Sequence, residues 1–239
     1  MQILEVNDNY KHIGIHTRTQ TVGKELDMVN DFIEFRKCSF EEKPDNQLII
    51  FIEAKINNAY PDLIFAEYNP SSYERWTDSR NSLDLNDLRI LNVIFERKKI
   101  KSEDIIKELS IKYKGLLMSL EKLYDSELID RKVGYWEIHD LNFIGVRKIE
   151  SVEAKISKWN EVLHQALLNK NFSSESSVLS KIKGDPKDEV CRTFNEFGIG
   201  IYLYNDIKFS RRTEPKYYDI PINHNSLLLN EWVGRILNN

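Results

Sequence analysis

The order of apolar periodicities along this chain predicts an α/β fold, a mixed sheet flanked by helices, with a helix-rich insert at residues 81–140. Three observations carry that expectation. Outside the insert, segments of helical and strand period follow one another as helix, strand, strand, strand, helix, strand, helix, strand. Two strand-length apolar runs before the insert are joined by a short polar turn, the pattern of a hairpin. Within the insert, three helical periods in succession end in a short pair of strands about a glycine.

Taken in order, Val22, Leu26, Val29, Phe32, Ile33 and Phe35 recur at near-helical spacing, so a first amphipathic helix is expected over Thr21 to Phe35. Lys43-Pro44-Asp45-Asn46 breaks it from Leu48–Ile56, an apolar run rich in β-branched residues and of strand length. A turn through Asn57-Asn58-Ala59 leads back along Asp62–Tyr68, which completes the hairpin.

After Asn69-Pro70-Ser71-Ser72 the character changes. Asp84 to Glu96 carries a helical apolar period, Ser102 is a candidate N-cap for a second helix, and a third runs from about Lys112 to Tyr124. Leu128 to Ile138 reads as two short strands about a glycine turn. From 141 to 156 the strand pattern returns. Lys158 to Lys170 is helical with Trp159, Val162, Leu163, Ala166 and Leu167 in one stripe, which reads Trp159 as core. A strand near Ser176–Leu179, a helix over Lys187–Phe197 and a buried strand at Ile199–Tyr204 follow. Tyr217–Pro221 is expected to be extended, and Leu227–Leu237 to form a closing helix on the core. The implied organisation is a discontinuous domain, 1–80 with 141–239, interrupted by a compact module at 81–140; such insertions are tolerated because a module's ends lie close together.

Composition narrows the function. With 239 residues, 41% of them hydrophobic, the chain can bury a sizeable core. No apolar run approaches the roughly 18 to 20 residues needed to span a bilayer, and the polar start lacks a signal-peptide core, so no membrane partner and a cytoplasmic location are expected. Cys38 and Cys191 are far apart and lack CxxC spacing, which indicates neither a disulfide framework nor a zinc site. The net charge of −4 argues against indiscriminate coating of nucleic acid. It leaves room for a basic binding face beside an acidic metal site.

The chemistry is concentrated in Ile149–Trp159. On a strand, Ser151, Glu153 and Lys155 share one face while Val152, Ala154 and Ile156 share the other. A carboxylate and an ammonium two residues apart, beside Asp62 of Pro61-Asp62 on a neighbouring strand, can hold a hard divalent ion and offset charge on a phosphate. Taken alone, Glu-x-Lys on a strand is an ordinary exposed ion pair. The chain holds a second copy, Glu53-Ala54-Lys55, but it precedes Asp62 and no helix bearing Trp and Gln-Ala follows it.

Pro61-Asp62, Glu153-Ala154-Lys155 and the helix with Trp159 and Gln165-Ala166 together resemble the PD-(D/E)XK, restriction endonuclease-like nuclease superfamily. The resemblance covers about 50 residues in two blocks whose motifs are short; their order and spacing carry it. It implies a metal-dependent endonuclease. Asp62 and Glu153 would bind Mg²⁺, with Mn²⁺ as a substitute; Lys155 would position the attacking water and stabilise the phosphate; Gln165 would orient the lysine or the phosphate. A further acid is expected, either Glu53 in the hairpin or Glu25 on the first helix, with Glu53 preferred. The 91 positions between Asp62 and Glu153 are wide for the family, and the insert accounts for them.

The insert itself, three helices and a small hairpin, resembles a winged helix-turn-helix. Its acids and bases nearly balance. The local distribution favours DNA, because Lys112, Tyr113 and Lys114 open the third helix and Arg131 and Lys132 fall in the wing, where phosphate and groove contacts are made. Cleavage of both strands would make a homodimer the expected assembly. The alternative is a non-catalytic DNA-binding regulator or assembly protein on a nuclease-like scaffold. The two acids favour catalysis, since a scaffold has no physical need to keep like charges together.

Overall fold

The computed structural model describes residues 3–18, 23–155, 159–181 and 186–238. It divides into two compact units, Met1–Tyr68 with Arg147–Pro221, and Asn69–Val146 with Ile222–Asn239. The first opens with strand β1 (Leu4–Val6), helix α1 (Lys24–Ser39) and strands β2 (Gln47–Ile52) and β3 (Leu63–Tyr68). The second contains helices α2 (Leu85–Arg97), α3 (Ser102–Leu109) and α4 (Tyr113–Asp125) and strands β4 (Ile129–Lys132) and β5 (Tyr135–Ile138). The chain returns along β6 (Val146–Lys155), α5 (Trp159–Asn169), β7 (Glu175–Ser180), α6 (Asp188–Glu196), β8 (Gly200–Tyr204) and β9 (Phe209–Thr213), and closes with α7 (His224–Asn238). Among the described residues no helix is long and apolar enough to cross a membrane.

The first unit is a mixed seven-stranded sheet in the order β1-β2-β3-β6-β7-β8-β9. β2 and β3 pair antiparallel from Gln47↔Tyr68 to Ile52↔Leu63, the hairpin that the two apolar runs predict. β6, β7 and β8 run parallel, with Glu153 opposite Val178 and Lys155 opposite Ser180. One face of the sheet packs on α1: Met28, Val29, Phe32 and Ile33 bury against Ile50, Ile52 and Phe65 of the hairpin, and against Val152 and Ala154 of β6. The other face packs Val178 and Ile201 against Val162 and Ala166 of α5 and Phe194 of α6. Trp159 joins this second cluster, edge-on to Phe194 at 5.5 Å between ring centroids. The alternation expected for β6 therefore holds at Ser151 to Ala154: apolar Val152 and Ala154 face α1, while Ser151 bonds Ser173 and Glu153 bonds Asn169 on the opposite side. The expected helix residues Thr21, Val22 and Lys158 and the strand residue Ile156 lie outside the described residues. β1 and β9 were not anticipated; β1 is three residues long, and β9 (Phe-Ser-Arg-Arg-Thr) is a polar edge strand with no apolar alternation to reveal it.

The second unit has its own core, in which Leu88, Leu91 and Ile94 of α2 meet Ile105, Leu116, Leu120 and Leu123 of α3 and α4. Asp84 and Asp87 form a reciprocal capping box at the start of α2. Ser102 is not a cap: Lys101 flanks α3, and the Ser102 hydroxyl accepts a hydrogen bond from the Trp136 indole at 2.9 Å. β4 and β5 pair about Val133-Gly134, both at positive φ, and Ile100 adds a short third rung by bridging Trp136.

This unit is larger than the expected 81–140, starting at Asn69 and recruiting the C-terminal helix. α7, expected to close the first domain, instead packs within the second, where Leu227 enters its core. Polar anchors explain the choice. The Asn230 side-chain oxygen accepts from Tyr73 Oη at 2.8 Å and from the Gly145 amide at 2.8 Å. Glu231 takes a two-pronged ion pair from Arg80, at 3.0 and 2.6 Å, with both side chains almost fully buried. Gly234 lets the Trp76 ring lie where a Cβ would come within 1.9 Å of it.

Candidate active site

The candidate site forms where β2, β3 and β6 end. Glu53 follows β2 in the left-handed conformation, φ +53°, so the chain turns there, while its amide still donates to the Asp62 carbonyl at 2.9 Å. A non-glycine residue held at such φ costs on the order of 1 kcal/mol, and the surrounding ladder imposes it. Asp62 thereby enters β3 with its carboxylate aimed at β6. Its Oδ2 accepts from the Ala154 amide at 2.7 Å, which locks the acid against the peptide lying between Glu153 and Lys155. Glu153 Oε1 accepts from Asn169 Nδ2 on α5 at 2.7 Å.

A cation unforeseen in the sequence sits among these acids. The Arg18 amide donates to the Glu53 carbonyl at 2.9 Å, which fixes the backbone beside the hairpin. Its guanidinium donates from Nε to Glu53 Oε2 at 2.8 Å, contacts the same oxygen through Nη2, and donates from Nη2 to Asp62 Oδ1 at 2.7 Å. The nearest cue lies 35 and 44 positions away in sequence, beyond the reach of any periodicity.

Asp62, Glu53 and Glu153 are 7%, 6% and 3% exposed. Burial pushes Glu153 up to about 8, aided by repulsion from Asp62 and opposed by the Asn169 amide, Arg18 and Lys155. Burial also lifts Asp62 to about 6; the Ala154 amide, Arg18 and Lys155 pull it down while Glu53 pushes it up. Burial works against the Arg18 charge, but Glu53, Asp62 and Glu153 outweigh it and hold the guanidinium above its ordinary value. Acids crowded in this way are short of positive charge, a common signature of a functional site.

Both rivals for the further acid are here. Glu53 shares Arg18 with Asp62, whereas Glu25 of α1 stands 3.7 Å from Lys155 Nζ. Gln165 on α5 is half-buried, and the amide that reaches Glu153 is Asn169, one helical turn further on the same face. That i, i+4 relation was the available signal for Asn169.

The donor chemistry fits a hard divalent ion, since buried carboxylate oxygens that repel one another are suited to Mg²⁺. Their number as arranged does not yet make a cage. Among the described residues no three His, Cys, Asp or Glu side chains converge tightly enough to hold a metal ion. Arg18 supplies the positive charge between Glu53 and Asp62.

The residues expected to touch DNA lie in the second unit. Lys112 flanks the start of α4 and is exposed, as are Lys114 and Tyr113, the latter 61% exposed. Arg131 lies 5.7 Å over the Trp136 ring, and the Lys132 ammonium donates to Glu137 at 2.6 Å with Asp130 at 3.9 Å. The rest of the exposed α4 surface carries apolar Leu117, Met118 and Tyr124 together with the acids Glu121 and Asp125. No family model, curated protein or solved structure matches this chain.

Proposed function

We propose that this chain is a metal-dependent DNA endonuclease with a restriction endonuclease-like catalytic unit, and that its second unit is a winged helix engaging duplex DNA. The observation that carries the reading is the 2.7 Å bond from the Ala154 amide to Asp62 Oδ2, which brings the acid of one strand to the Glu153-x-Lys155 peptide of the next. Three chemically matched groups, Asp62 from one part of the sequence and Glu153 and Lys155 from another, thus share one strand end.

Asp62 and Glu153, with Glu53, would hold Mg²⁺ or Mn²⁺, and the bound ion supplies charge neutralisation and Lewis acidity at the phosphate. The chain's own groups do the rest. Asn169 fixes the Glu153 carboxylate, and Gln165 would orient the lysine or the phosphate. Lys155, 35% exposed at its side chain, orients the attacking water and offsets charge on the phosphate; Glu25 holds its ammonium in place beforehand. Tyr113, Lys112, Lys114 and Arg131 supply stacking and phosphate contacts, and a homodimer would present two sites to the two strands.

The test is cleavage of supercoiled plasmid, linear duplex and single-stranded DNA in Mg²⁺, Mn²⁺ or EDTA, with Asp62→Asn and Lys155→Ala alongside the native chain. Metal-dependent cutting lost in both variants is the expected outcome. The second reading, a non-catalytic DNA-binding regulator, is favoured by the engagement of Glu53 and Asp62 with Arg18. Duplex binding without cutting, equal in all three proteins, would select it.

A further inference from the structure

The Arg18 guanidinium uses the same carboxylate oxygens, Glu53 Oε2 and Asp62 Oδ1, that an ion at this site would need. A guanidinium has five donors, no acceptor and no neutral form at ordinary pH, so it cannot coordinate a metal and cannot escape by losing a proton. Guanidinium and divalent ion therefore exclude one another at those oxygens. Arg18 is also built to release. Its backbone is held by the Glu53 carbonyl, while its side chain is 41% exposed against 7% and 10% for those of Glu53 and Asp62. The side chain can leave toward solvent with the acids and main chain staying in place.

We propose that Arg18 is an internal counterion that occupies the acid cluster in the ion-free protein and is displaced by the divalent ion, so that metal affinity is set by competition with its guanidinium. The inference rests on reading Asp62, Glu53 and Glu153 as metal ligands. It accounts for two otherwise discordant facts, acids crowded at one strand end and, among the described residues, no ready-made cage. Reciprocity follows: whatever Arg18 contributes to holding the acids, the ion must replace.

The experiment is calorimetric titration of Mn²⁺ into the native chain, Arg18→Gln, Arg18→Lys and Asp62→Asn, without DNA, together with thermal unfolding of each protein with and without Mn²⁺. Arg18→Gln is expected to bind Mn²⁺ at least about tenfold more tightly, a difference of about 1.4 kcal/mol. Arg18→Lys, which loses the forked contact but keeps the charge, falls between. Asp62→Asn loses binding. Without the ion Arg18→Gln unfolds at lower temperature than the native chain, and Mn²⁺ raises its midpoint by more than it raises the native one. If Arg18→Gln is unfolded without the ion, Mn²⁺ is expected to refold it; failure to do so overturns the proposal. Equal affinity of Arg18→Gln and the native chain refutes the competition and leaves the metal reading standing. Absence of Mn²⁺ binding in both at millimolar concentration removes the metal reading and the proposal with it.

Discussion

Glu153 is buried among acids and retains its proton into the neutral range, which couples its ionisation to folding stability. Replacing it by Gln keeps the shape and the oxygen that accepts from Asn169 while removing the charge. In the unfolded chain the carboxyl releases its proton near 4.5; in the folded chain it holds it to about 8. Between these values the folded state binds more protons than the unfolded state, so stability is highest on the acid side and falls as pH rises through the window. Each tenfold change in ionisation constant is worth about 1.4 kcal/mol, so between pH 5 and 8 the native chain loses about 3 kcal/mol from this group. Asp62, lifted to about 6, and buried Glu150, also held above its ordinary value, add slopes of the same sign in both proteins. The difference between native and Glu153→Gln therefore isolates Glu153. Urea unfolding at pH 5, 6, 7 and 8, in EDTA at constant ionic strength, measures it: the variant gains on the native chain as pH rises. A difference that changes by less than about 0.5 kcal/mol across that range would refute the electrostatic description of the site.

Two further predictions concern the second unit. Val133, 95% exposed at the β4–β5 turn with φ +49° beside Gly134 at +79°, is a β-branched residue in a conformation that suits Asn or Gly. Val133→Asn is expected to stabilise by about 1 kcal/mol, read as a higher urea midpoint with unchanged slope; no gain would show that the turn is unstrained. Glu231→Gln strands the buried Arg80 guanidinium and is expected to cost about 3–5 kcal/mol. The paired change Arg80→Met with Glu231→Leu recovers a large part of that loss, and a double variant as unstable as the single one would show that the cost lies in packing instead.

Local period made much of this chain legible. The Leu48–Tyr68 hairpin, the alternation that sets Glu153 opposite in direction to Val152 and Ala154, and the three helices before β4 follow from residue spacing over a few turns or a single strand. The candidate acids Asp62, Glu153 and Glu53 were legible through the resemblance carried by Pro61-Asp62 and Glu153-Ala154-Lys155 rather than through spacing alone, and all three are buried. Tertiary structure alone decided three matters. It brought Arg18 to Glu53 and Asp62 through the return of an irregular segment alongside the hairpin, a pairing over 35 and 44 positions that no short-range pattern encodes. It set Asn169 against Glu153, since the period of α5 gives the face that Asn169 shares with Gln165 and only the packing of that helix on the sheet selects the acid it meets. It also assigned α7 to the second unit. An apolar stripe shows that a helix must bury one face, but the surface that receives it is selected by complementary groups, here Arg80, Tyr73 and Trp76, supplied from elsewhere in the chain.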